Sequence, residues 1–170
     1  MASLMEDLLE VLEKEEAEYR KLIGIAEEKK DAVIRGDITL LDSVTVREQE
    51  AASALLNLSG SRTQVLSDMA MVLGKDPEEV TITRMIEYLE KQPAEQEKLT
   101  KQRDRLLEAG AQMQALNRQN EALLQQALEM VEFDLTLLKS MRQAPETANY
   151  DKNAYNTGDI LAAGGFDAKQ

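Results

Sequence analysis

The amino-acid sequence predicts an all-α protein: an elongated antiparallel three-helix bundle or coiled coil with one extra short helix and a flexible C-terminal tail. Three observations carry this expectation. Apolar residues recur at steps of three, four and seven along most of the chain, the spacing that places them on one face of a helix. Only three prolines, Pro77, Pro93 and Pro145, interrupt the 170 residues, so long helices are permitted. Aromatic residues make up 4% and charged residues 31%, with no Trp, which suits thin helix-on-helix packing by Leu, Ala and Met beneath solvated outer faces.

The first helix is expected from the start of the sequence to Gly36. Its stripe is Met5, Leu8, Leu12, Tyr19, Leu22, Ala26 and Val33, and Gly36 sits where a helix-ending glycine belongs. Asp37 or Thr39 can cap the second helix, which should run from about Thr39 to about Leu73 with Leu41, Val44, Ala51, Leu55, Leu58, Val65, Met69 and Val72 as its stripe. The stripe keeps phase across Gly60, so a continuous or slightly kinked helix is expected there. Gly74 to Glu79 ends it, and a short helix follows with Thr81 as cap and Ile82, Met85, Ile86 and Leu89 as its apolar face. Pro93 suits the first turn of a third long helix, expected to reach about Arg142 and span about 70 Å. The reading therefore places a helical bundle over 1–142 and a tail over 143–170. The tail is rich in Asn, Gly, Ala and Asp and lacks helical periodicity.

A short turn makes the first two helices antiparallel, so facing residues have a constant sum of numbers. Taking 77 as that sum pairs Met5 with Val72, Leu8 with Met69, Leu12 with Val65, and so on to Val33 with Val44. The same choice sets Lys29 opposite Glu48 and Glu15 opposite Arg62, both of opposite charge. These pairs have two readings: half-exposed ion pairs of little consequence, or polar seam residues that fix the register, as in coiled coils. Asn117 and Asn120 on the third helix are candidates for the same role.

Composition narrows function. The net charge of −12, with every basic cluster interleaved with Glu, leaves no basic stripe for phosphates, so a nucleic-acid partner is not expected. The sequence has neither Cys nor His. That removes thiolate chemistry and the commonest general base and metal ligand. Paired carboxylates such as Glu15-Glu16 and Glu27-Glu28 read as solvated helix faces. With no Gly-rich phosphate loop and no base beside any Ser or Thr, no enzyme, metal or cofactor is expected. Apolar runs are too short to insert in a membrane. The acidic, amphipathic N-terminus is unlike a signal peptide, so the expected location is the cytoplasm.

The late part of the third long helix carries more apolar surface than a bundle requires. With Val131 at the centre of the core stripe, Asn120, Leu124, Ala127, Leu128, Leu135 and Leu138 lie within about 60° and are expected in the core. Leu123, Met130, Leu137 and Met141 form a flank, with Phe133 further round. Either the short helix or a second subunit covers this flank, or it is a docking face for an amphipathic helix from a partner. Met suits the second use because its unbranched chain repacks around varied ligands.

The order and spacing of these features resemble the FlgN family of flagellar export chaperones. The residues concerned are Leu8, Leu12, Glu15, Leu22 and Lys29, the Gly36-Asp37 turn, and Leu41, Glu48 and Leu55 to Arg62. They continue through the Thr81 to Leu89 element, Leu116 to Asn120, Leu123-Leu124 and the Tyr155 to Gly158 segment. The resemblance implies a cytoplasmic chaperone that binds the C-terminal helical segments of hook-associated proteins, prevents their premature assembly and delivers them to the export gate. It implies a gate-docking role for Tyr155, with Tyr150 as the alternative. A homodimer in the absence of client stays open. A structural coiled-coil scaffold or spacer is the competing reading.

Overall fold

A computed structural model of the chain describes residues 1–143. Among them are four helices and no strand: α1 (Ala2–Arg35), α2 (Ile38–Val72), α3 (Ile82–Tyr88) and α4 (Pro93–Gln143). The chain divides into two compact units, Met1–Asn120 and Glu121–Gln170. The limit expected at residue 142 falls inside the second unit.

The helix ends follow local chemistry. Gly36 takes the left-handed conformation at φ 66°, and the Asp37 N–H donates to the Ala32 carbonyl at 2.9 Å, closing α1. The Asp37 carboxylate then accepts from the Leu40 N–H at 3.0 Å and caps α2. Gly74, also at φ 66°, ends α2 in the same way, with the Lys75 N–H donating to Ala70. The Thr81 hydroxyl accepts from the Arg84 N–H at 3.2 Å and caps α3. α2 runs through Gly60 without a break.

In the first unit α1 and α2 form an antiparallel hairpin. The core lies where the start of α1 and the end of α2 meet α3 and the first turns of α4. Leu8, Leu12, Met69, Met85, Leu89 and Leu99 are its most deeply buried side chains. Within this unit α4, as far as Asn120, runs beside α1 in the same direction. Gln102 Nε2 donates to Glu16 Oε2 at 3.0 Å, and further along Asn120 Nδ2 donates to the Ala26 carbonyl at 2.8 Å. Gln96 Nε2 donates to the Ile86 carbonyl at 2.9 Å, fastening α4 to α3.

One expected pairing fails. Met5 is buried, but Val72 is 59% exposed, and Leu66, Met69 and Ala70 make the buried end of α2. A seven-residue stripe drifts around a straight helix by about 20° per heptad. Towards the end of α2 the inward face has therefore moved off Val72.

Candidate functional site

Two polar seams cross the α1–α2 hairpin. Arg62 Nη1 donates to both oxygens of Glu15, at 3.0 and 2.9 Å, and its Nη2 donates to Ser59. Glu15 is only 2% exposed, and burial pushes its carboxyl above the usual range, with Arg62 offsetting this in part. Lys29 Nζ donates to Glu48 at 3.1 and 3.3 Å, with both side chains half-buried. Arg47 and Glu28 form a neighbouring, more exposed pair. Glu16 differs in sign from Glu15: the Gln102 amide holds its carboxyl below the usual range.

The two candidate asparagines part company. Asn120 is 2% exposed and bonded to α1, while its Oδ1 is buried without a partner among the described residues. Asn117 is exposed, and its side chain donates to Met113 on its own helix, at 3.1 Å from Nδ2 to Sδ. Three residues apart, the two side chains point about 60° apart, enough to carry Asn117 off the packed face. Gln102 and Gln96, which fasten α4, escaped sequence reasoning because a glutamine among many on a charged helix carries no periodic signal.

In the second unit, the helix from residue 121 onward carries eight of the fifteen exposed large hydrophobic residues of the described chain. Met130 is 68% exposed, Phe133 60%, Met141 62% and Leu137 40%. Leu123 is half-buried. The expected core residues Leu128, Val131, Leu135 and Leu138 are also more than half exposed. This corrects the division into core and flank, since both groups stand exposed. At 100° per residue the exposed apolar positions from Leu128 to Met141 form one arc of about 220°. A surface helix in a globular protein usually buries a stripe a little over 100° wide. Glu129, Glu132, Thr136 and Lys139 occupy the remaining side. The tail residues Tyr150 and Tyr155 lie outside the described residues.

Nothing in the described chain assembles reactive groups. No cluster of three or more carboxylates fit for a metal ion occurs among the described residues. A cavity of about 580 Å³ in the first unit is lined by Tyr19, Arg62, Leu66, Val80, Ile82 and Arg103, among others. Its wall is apolar apart from the two guanidiniums and a few hydroxyl and amide groups. It offers no nucleophile paired with a base. No helix among the described residues is long and apolar enough to cross a membrane.

Among the described residues the chain is all-helical, with polar seams inside a hairpin and one helix face that is apolar and exposed. Residues 1–158 match the model of the family described as FlgN protein, and the chain belongs to that family of flagellar export chaperones. No curated protein and no solved structure gives a match.

Proposed function

We propose that the protein is a cytoplasmic chaperone that holds the C-terminal helical segment of a hook-associated protein on the late α4 face, centred on Leu123, Met130, Phe133, Leu137 and Met141. The observation that carries this is the open apolar arc between Leu128 and Met141. A client segment that packs as a helix in the finished filament exposes its own apolar stripe beforehand. Covering that stripe removes apolar surface from water on both partners and blocks premature assembly. Two methionines and several leucines on the face allow repacking around different sequences. Release at the export gate requires a second contact, which we assign to Tyr155, with Tyr150 as the alternative.

The test is capture of hook-associated proteins from a flagellated cell extract by the full chain and by Met130→Asp with Leu137→Asp. The double variant should lose capture while its helicity and melting temperature stay close to wild type. Unfolding of the variant would show that these residues stabilise the protein itself. A scaffold or spacer predicts a stable homodimer in light scattering that no client dissociates. The chaperone predicts an equimolar complex with client. Tyr155→Ala should leave client affinity unchanged and weaken binding to the cytoplasmic domain of the gate. Loss of client binding instead would move Tyr155 out of the gate-docking role.

A further inference from the structure

Between Leu128 and Met141 the apolar arc of α4 contains one charged residue, and Arg142, just beyond, lies on the same face two turns after it. Asp134 is exposed and lies within about 10° of the midpoint of the arc. Its neighbours one turn before and after are Met130, Val131, Leu137 and Leu138, all exposed and apolar. Among the described residues no cation lies within 4 Å of it. Lys139 and Arg142, the nearest basic residues along the helix, stand at neither of the spacings that pair on a helix surface. Any helix laid along this face covers the carboxylate. A covered carboxylate without a partner is heavily penalised, whereas one that meets a cation with good geometry is not. A carboxylate with no cation beside it among the described residues therefore selects among occupants.

We infer that Asp134 is the specificity-determining residue of the docking face, and that its occupant is an amphipathic helix with a Lys or Arg in the middle of its apolar stripe. This rests on the docking reading above. A second copy of the chain fits the face poorly, because stacking this arc on itself near its middle brings Asp134 towards its own equivalent. A wholly apolar helix fits poorly because it would leave the carboxylate buried and unpaired. A basic residue in the stripe also discriminates among the many apolar helices of a cell, since mismatched charge acts as a penalty on the wrong partner.

The test uses the full chain and two synthetic amphipathic peptides of identical composition and net charge. One carries Lys at the centre of its apolar stripe and Ala on its outer face, and the other has these two residues exchanged. Equal net charge cancels the general attraction of an acidic protein for a basic peptide. Affinities are measured by fluorescence anisotropy for wild type, Asp134→Asn and Asp134→Lys, with helicity checked by circular dichroism. The wild type should bind the central-Lys peptide roughly tenfold more tightly, a difference at the low end of what close interfacial charge pairs give. Asp134→Asn should lose that preference, and Asp134→Lys should reverse it.

Equal binding of the two peptides by wild type, or an unchanged preference in Asp134→Asn, would overturn the role of Asp134 and leave the docking face standing. Failure of both peptides to bind would overturn the docking face and this inference with it. A wild-type dimer that dissociates in Met130→Asp would assign the face to a second copy. Peptide binding that tightens tenfold in Ile160→Asp with Leu161→Asp would assign it to the chain's own C-terminal residues. Either result contradicts the inference.

Discussion

Glu15 and Arg62 form the most deeply placed ion pair in the hairpin, and removing one partner should cost more than at any surface pair. Arg62→Ala leaves the Glu15 carboxylate, 2% exposed, without its cation. The expected loss is roughly 2–3 kcal/mol, below the range for fully buried pairs because the Arg62 end reaches solvent. Lys29 and Glu48 are half-buried at both ends. Reversing Glu48→Lys should cost on the order of 0.5–1 kcal/mol, and adding Lys29→Glu should recover part of it. Absence of coupling in that double-mutant cycle would deny the pair any part in setting register. The carboxyls of Glu15 and Glu16 should also leave opposite marks on the pH dependence. Glu15 titrates above its unfolded value, so the folded state holds its proton longer, and its contribution to stability declines as pH rises through the window above about 4.3. Glu16 titrates below its unfolded value, so its contribution is present above that value and is lost as pH falls through the depressed folded one. Urea melts of wild type and Glu15→Gln between pH 4 and 7 check the first. The stability of the variant relative to wild type should rise with pH.

At the scale of elements, helix limits were largely readable and helix surroundings were not. The Gly36, Asp37 and Thr81 signals act within a few residues of themselves, so the turn and the Thr81 cap stand where sequence places them, and Asp37 is the one of the two candidates that caps α2. The opposed charges across the hairpin were legible because a short turn leaves one free variable, the register. The late α4 stripe was a different case. Periodicity reports that a face is apolar but not that another element reaches it. Leu128, Val131, Leu135 and Leu138 therefore read as core and stand exposed. Asn117 and Asn120 are alike as letters, and only the geometry of α1 against α4 separates them. Two glycines give contrasting predictions here. Gly36→Ala meets a φ of 66° that side chains rarely adopt, and should cost about 1–2 kcal/mol. Gly60 lies inside α2 with nothing within 4 Å of an added Cβ, so Gly60→Ala should stabilise by about 0.5–1 kcal/mol. Opposite shifts in melting temperature are the expected result.

For the whole molecule, the contrast between the two units carries the account. The first unit buries its stripes, satisfies its seam carboxylates and closes its helix ends. The second leaves an apolar helix face open. The chain belongs to a family of flagellar export chaperones, and the proposed use of that face is to hold a client. Hydrogen–deuterium exchange on the full chain, with and without the C-terminal segment of a hook-associated protein, tests the central claim most directly. The account predicts new protection over residues 128–141 and little change across α1 and α2. Protection confined to α1, α2 or the cavity beside Arg62 and Arg103, with residues 128–141 unaltered, would contradict it.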